Sequence, residues 1–275
     1  MGLRIQTNLP SISAQRVLGI QQQRMTHATQ ALASGSRIVT ASDDAAGLSI
    51  SEFLRGQIRG VAMARNNAFN AVSAIQISEG GLNELTNIAI RLRELGIQAA
   101  SDNIGDKERS FLQEEARHLV EEADRIAKTT QFGDKKLLDG TGGKMTFHVG
   151  AFSGPENTIS YTLDANATAS ELGLDKVSMN TKEDAREALE RVDQALEKIG
   201  RLRANFGAVQ SRINAAVSNL DIQYENLSAA NSRIRDVDVA RETAEMASAQ
   251  VLQSAAIAVL SQANTFPSMA LKLIG

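Results

Sequence analysis

Apolar residues at every seventh position dominate the C-terminal half of this 275-residue chain. The series contains Val192, Ile199, Phe206, Ile213, Leu220, Leu227 and Ile234. A second apolar position between these steps is interrupted only by Gln223. This spacing is typical of a coiled coil. A helix of about 50 residues spans roughly 75 Å, which is longer than a compact globule of this size requires. We therefore expect this helix to pack along its length against other helices, in this chain or in another.

The rest of the sequence predicts further long helices and one small β region. Aromatic residues make up only 4% of the chain and there are three prolines, which suits helices packed through small aliphatic side chains. A helix is predicted from about Asp106 to Lys128, and another over 45–100, which Gly80-Gly81 should weaken or bend. Alternating apolar residues on both sides of Gly154-Pro155 predict a β-hairpin. We predict a mainly α fold: an elongated rod of long α-helical coiled coil or bundle with a small β-hairpin region.

Both ends of the chain are poor in acidic residues. Residues 1–42 contain no Asp or Glu, and residues 246–275 contain a single charge, Lys272. Large apolar residues recur every seventh position in each end, and they are Leu18, Met25 and Leu32, then Leu252, Val259, Phe266 and Leu273. In the last segment alanines alternate with them, and Pro267 should kink or restart the helix. Burying four large side chains contributes about 6 to 12 kcal/mol, whereas ordering roughly 30 residues costs about 30 to 60 kcal/mol. We expect these ends to become ordered only when they pack against other helices.

Few side chains are arranged for catalysis or ligand binding. The chain has no cysteine, and its histidines, His27, His118 and His148, lie in different segments without an HExxH motif. Asp43-Asp44 could form a carboxylate pair for acid–base chemistry, but a turn and a helix cap explain it better. Gly142-Gly143-Lys144 lacks the spacing of a phosphate-binding loop. We expect no enzyme activity, no cofactor and no metal site.

Charge and hydropathy also exclude two classes of partner. The formal net charge is -3, and basic residues are not clustered with aromatic ones, which argues against nucleic-acid binding. No apolar window reaches the length of a membrane-spanning helix, so no membrane insertion is expected. Together these features indicate an interaction protein built from helices.

Several motifs follow one another in a specific order. Near the start, Leu32-Ala33-Ser34-Gly35-Ser36-Arg37-Ile38 precedes Asp43-Asp44-Ala45-Ala46-Gly47-Leu48. Glu122-Ala123-Asp124-Arg125-Ile126-Ala127 and, near the end, Leu260-Ser261-Gln262-Ala263-Asn264 continue the series. With these motifs the chain resembles bacterial flagellin over nearly its whole length. One departure is Gly133-Asp134, where the family usually has an Asn-Gly turn.

This resemblance implies a fold in two domains and an assembly. Residues 1–42 and 236–275 would form a discontinuous terminal coiled-coil domain, called D0, and residues 43–235 a rod domain, D1, with the β-hairpin region at about 130–180. Subunits would polymerise into the flagellar filament for swimming motility, with the seventh-position residues of both ends as the polymer interface. Expected partners are further copies of the chain, other flagellins, the flagellar type III export apparatus, a flagellin chaperone and the filament cap. The expected location is extracellular, in the filament, after secretion without a cleavable signal peptide.

The resemblance also implies contact with a vertebrate innate immune receptor. Arg91, Leu95 and Glu115 occupy the matching positions, and the spacing of four predicts one helix face for Arg91 and Leu95. Ala89 and Ile90 depart from the family's Leu-Gln, so we expect recognition that is present but weakened.

Two alternatives compete with the flagellin interpretation. A hook–filament junction protein shares the terminal folds, but the density of flagellin motifs and the short middle region argue against it. An intracellular coiled-coil adaptor would not need acid-poor ends that are prone to disorder.

Overall fold

The computed structural model describes residues 7–163 and 165–274, together with their side chains except at 162, 163 and 266–274. The long helices are α1 (Leu9–Ser34), α2 (Ala45–Ala99), α3 (Asp106–Thr129), α5 (Lys182–Arg235) and α6 (Val239–Ile274), and α4 (Ala169–Leu172) is a single turn. The strands are β1 (Gln131–Phe132), β2 (Lys135–Lys136), β3 (Gly143–His148) and β4 (Thr158–Leu163), and 3-10 turns occupy Pro155–Asn157 and Leu174–Lys176. The predicted mainly α fold with a small β-hairpin region is confirmed.

The chain divides into two compact units. Unit 1 consists of residues 1–57 and 226–275, and unit 2 consists of Ile58–Glu225. Helices α2 and α5 contribute residues to both units. The predicted domain limits after residue 42 and before residue 236 fall at breaks between helices, and they stay a prediction.

Two helix breaks are hydrogen-bonded to each other within unit 1. Gly35 ends α1 in the left-handed conformation with φ of 69°, which favours glycine. The Arg37 amide donates to the Arg235 carbonyl at 2.7 Å, and the Val237 amide donates to the Gly35 carbonyl at 3.0 Å. The Arg37 guanidinium also donates to the Ile234 carbonyl at 2.7 Å. It therefore satisfies a backbone acceptor at the end of α5.

The paired aspartates serve backbone groups, as the capping interpretation predicts. Asp43 Oδ2 accepts hydrogen bonds from the Val39 and Thr40 amides at 3.0 and 2.8 Å. Asp44 Oδ1 accepts from the Gly47 amide at 2.8 Å and caps α2. A Cβ atom on Gly47 would collide with the Asp44 carboxylate, so a larger residue would displace the group that caps α2.

The seventh-position residues of α5, from Val192 to Ile213, belong to the hydrophobic core of unit 2. In α5, Ile199 and Ile213 are almost completely buried, and Phe206 is 3% exposed. Strands β3 and β4 pair antiparallel, with Met145 opposite Tyr161. The Tyr161 ring meets the Phe206 ring edge-on, with centroids 6.1 Å apart. The hairpin therefore contributes one face to the helical core.

Neither Gly80-Gly81 nor Pro267 breaks its helix, and a bend or kink at these positions stays a prediction. Helix α2 continues through Gly80-Gly81, although glycine is a poor helix former. A Cβ on Gly81 would lie 2.7 Å from Leu138 Cδ1 and 2.9 Å from Thr130 Oγ1, so this glycine admits the segment that packs on the helix. Helix α6 passes Pro267 without restarting and ends at Ile274; the Pro267 side chain lies outside the described residues.

Arg109 closes the turn that joins α2 to α3. Its side chain is 10% exposed. Nε donates to the Ala99 carbonyl at 2.9 Å, and Nη2 donates to the Ser101 carbonyl at 3.1 Å. Nη1 donates to Asp106 Oδ1 at 2.9 Å. One guanidinium thus satisfies the C-terminal end of α2 and fixes the start of α3.

Candidate functional site

Small residues form the contact between α1 and α6 in unit 1. The buried positions of α6 step by seven through Glu242, Ala249, Ala256 and Ala263. Those of α1 step by seven through Ala14, Gln21 and Ala28. The alanines among these residues allow the two helices to approach closely, but alanine alone does not fix the register between the helices.

Polar bonds between the two helices supply that register. Asn8 Nδ2 donates to the Ala263 carbonyl at 2.8 Å, and Ser11 Oγ donates to Asn264 Oδ1 at 2.9 Å. The Gln253 amide nitrogen donates to Gln22 Oε1 further along the pair. The sequence analysis missed these positions, although polar residues within an apolar seam were a visible signal.

Large apolar side chains remain exposed on the same helix pair. Those with at least 40% of their surface exposed are Leu9, Ile12, Val17, Ile20, Val239, Val251, Leu252, Ile257 and Val259. Leu252 and Val259 line a groove with Val17 and the alanine seam. A monomer rarely leaves this much apolar surface in water without using it for association. We refer to the exposed faces of α1 and α6 as the assembly surface.

The predicted polymer-interface residues divide into three groups. Leu18, Met25 and Leu32 are half-buried on α1. Leu252 is 45% exposed and Val259 is 58% exposed on α6, so the alanines, not these residues, make the contact within the chain. The side chains of Phe266 and Leu273 lie outside the described residues.

The predicted receptor-contact residues do not share one surface. Arg91 Nη2 donates to Glu115 Oε1 at 2.7 Å, and the pair is exposed. Hydrogen bonds to Glu115 and, to a smaller extent, to Glu94 raise the pKa of the Arg91 guanidinium. Leu95, in contrast, is 1% exposed and belongs to the core of unit 2. The expectation that Leu95 shares the exposed face of Arg91 is therefore wrong, because the side chain turns into the helix bundle.

His118 and Lys144, two side chains considered above for ligand binding, lie in regular helix and strand positions. Within residues 7–163 and 165–274, no three His, Cys, Asp or Glu side chains are grouped so as to hold a metal ion. His118 lies 3.6 Å from Glu114 and 3.5 Å from Glu121 on the surface of α3. Lys144 lies in strand β3 opposite Thr162 rather than in a phosphate-binding loop. A search of the described helices for one long and apolar enough to cross a membrane finds none.

Known proteins match both helical parts of this chain. Residues 5–142 match the family profile described as the bacterial flagellin N-terminal helical region, and residues 189–274 match the bacterial flagellin C-terminal helical region. The flagellin of Halalkalibacterium halodurans is 40% identical over 271 residues, covering 98% of this chain and 99% of that protein. Flagellin FlaB1 of Treponema pallidum is 39% identical over 283 residues, with the same coverage of 98% and 99%.

A solved structure supports the same assignment. The crystal structure of Bacillus cereus flagellin matches with a TM-score of 0.51 and 27% identity, covering 60% of this chain and 94% of that one. The relatives aligned over nearly their full length are named flagellins or flagellar filament core proteins, which favours a filament subunit over a hook–filament junction protein or an adaptor. The chain belongs to the bacterial flagellin family and is a structural subunit of the flagellar filament.

Proposed function

We propose that copies of this chain bind one another through the assembly surface of α1 and α6. The main observation behind this proposal is that α6 has two rows of apolar residues, one buried and one exposed. Alanines make the contact with α1, while Leu252 and Val259 stay 45% and 58% exposed. Fully burying a leucine or valine side chain contributes about 1.5 to 3 kcal/mol. A neighbouring copy that covers these residues gains the part of this energy that the monomer leaves unused.

A charge at Leu252 tests the surface. We expect Leu252→Asp to abolish assembly, because a carboxylate cannot be buried against an apolar neighbour without a partner. Ser110→Asp is the control, since Ser110 is exposed on α3 in unit 2, outside the assembly surface, and the substitution adds the same charge. Seeded assembly is followed by sedimentation and negative-stain microscopy, and folding by circular dichroism. Normal filaments from Leu252→Asp, or equal loss in Ser110→Asp, would contradict the assignment.

Family membership supports the following proposal about export and addition to the filament. The subunit is exported through the flagellar type III apparatus with the help of a chaperone, and it is added beneath the filament cap outside the cell. The acid-poor ends, whose contact with each other is made mainly by alanines, suit passage in an unfolded state. Fractionation of cells that lack the export apparatus tests this: the chain should remain inside them, and its appearance in the medium would contradict the route.

A vertebrate innate immune receptor is a second partner, and the exposed Arg91 network supports it. Arg91 joins Glu115 and Glu94 on the surface, and arginine is a frequent interface anchor. Ile90 is 46% exposed beside it, whereas Ala89 is fully buried. Replacing Ala89 by leucine would overpack the core. The family residue should therefore be restored at Ile90 alone.

Binding of purified monomer to the receptor tests this surface. We expect Ile90→Gln to strengthen binding and Arg91→Ala to weaken it. Arg93→Ala is the control, because Arg93 has similar exposure on the same helix and pairs with Asp193 instead. Equal binding by the Arg91 and Arg93 variants would remove Arg91 from the contact.

A further inference from the structure

His27 on α1 lies between carboxylates from two other parts of unit 1. Its Nε2 is 3.3 Å from Asp43 Oδ2, in the segment between α1 and α2, and its Nδ1 is 3.8 Å from Glu242 Oε1 near the start of α6. The Glu242 side chain is only 8% exposed. The hydrogen bond from the Thr40 amide lowers the pKa of Asp43 below its usual value, which favours the charged carboxylate.

We propose that His27 is a pH-sensitive tie that holds α1, the segment before α2 and α6 together when its ring is protonated. A neutral imidazole carries no net charge and has only one N–H group. A protonated imidazole places a positive charge between the two carboxylates, at ion-pair distances of 3.3 Å from Asp43 and 3.8 Å from Glu242. Histidine ordinarily changes its charge between about pH 5 and 8.

Other charged groups on the same elements are engaged elsewhere or lie further along the pair. Asp44 caps α2 and is 4.0 Å from Arg37. Asp238 accepts amide hydrogen bonds at the start of α6. Arg24 and Glu245 line the neighbouring groove between the two helices. Among the described acidic residues, Asp43 and Glu242 come within 4.0 Å of the His27 ring nitrogens.

Protonation therefore adds one contact between α1 and α6 that the neutral ring lacks. That attraction is present when the ring is protonated and is lost when the ring is neutral, so unit 1 opens more readily at alkaline pH. The ring is 41% exposed, and solvent screens the interaction. For a pair with this exposure we expect about a two- to fivefold change in the opening equilibrium.

Hydrogen exchange read by mass spectrometry measures this opening. Peptides from α1 and from the first turns of α6 are followed in the assembled full chain between about pH 5.5 and 8, after correction for intrinsic exchange. We expect the wild-type opening constant to rise about two- to fivefold over this range. His27→Gln should abolish the rise. His27→Lys carries a permanent charge and should keep the protection of the acid form at every pH.

His118→Gln is the matched control, because His118 also lies between two carboxylates but all three groups belong to α3. Its unit 1 should retain the wild-type pH dependence. If His27→Gln does not fold, the pH dependence of the opening constant in His27→Lys tests the proposal by itself. Variants that do not assemble are compared with the wild type as dilute monomer. A wild-type slope in either His27 variant, or a flat profile in His118→Gln, overturns the tie. Failure of the wild type to assemble counts against the assembly surface and leaves the slope measurable in the monomer.

Discussion

Arg109 is the side chain whose removal should weaken unit 2 most clearly. Arg109→Ala leaves the Ala99 and Ser101 carbonyls without the donors that reach them at 2.9 and 3.1 Å. Each buried acceptor left unsatisfied costs about 1 to 3 kcal/mol, and water can reach the Ser101 carbonyl more easily because Ser101 is only half-buried. The bond to Asp106, whose side chain is 94% exposed, adds little. We expect a loss of about 2 to 4 kcal/mol in the free energy of unfolding.

Thermal and urea unfolding of the full chain, followed by circular dichroism, measures this loss. For a unit of this size, about 3 kcal/mol corresponds to a decrease in Tm of roughly 6 to 12 °C. Arg109→Lys keeps the charge but cannot make all three bonds, so its Tm should fall between those of wild type and Arg109→Ala. Arg117→Ala is the control, because Arg117 lies on the exposed face of the same helix and pairs with Glu114 and Glu121. If Arg109→Ala unfolds at the same temperature as Arg117→Ala, the turn does not depend on this guanidinium.

Two further substitutions test the core of unit 2. Gly81→Ala should lower the unfolding free energy by about 1 to 3 kcal/mol, because its Cβ would press on Leu138 and Thr130. Gly80→Ala is the control: a Cβ there has open space, so the variant should be neutral or stabilising. Equal Tm values for the two variants would refute the packing argument. Burial raises the pKa of Tyr161 to about 12, so its contribution is complete below pH 10, the ordinary value, and is lost as the pH rises toward 12. As the pH rises toward 12, we expect the free energy of unfolding of Tyr161→Phe to fall by about 2 kcal/mol less than that of the wild type. Parallel pH profiles of the unfolding free energy for the two proteins would contradict this expectation.

The long helices and the hairpin could be predicted because their signals are local. Period-seven apolar residues are informative whatever the partner, and in α5 the positions Val192 to Leu220 are indeed the buried ones. The alternation around Gly154 likewise predicted strands β3 and β4, which pair in the expected antiparallel arrangement. The interpretation of Asp43-Asp44 as a turn and a helix cap likewise relied on local signals, and Asp44 caps α2.

The sequence could not decide between two seams of identical period on α6. Leu252 and Val259 repeat every seven residues, and so do Ala249, Ala256 and Ala263. Only the contact with α1 shows that the alanines face inward, because the matching positions on α1 are small or polar and draw the helices close. The exposed leucine and valine follow from that choice.

Sequence determined where this chain is helical, where it turns and which period its apolar residues follow, because these depend on neighbouring residues. Tertiary structure decided which side of each helix is covered. Leu95 is four residues from the exposed Arg91, yet it lies in the core of unit 2. Gly81 lies where a Cβ atom would meet the side chains of Leu138 and Thr130. His27, Asp43 and Glu242 meet only after folding, since nothing in their separation along the chain fixes the 3.3 and 3.8 Å distances between them. Long-range packing sets such contacts, and local sequence patterns carry no information about them.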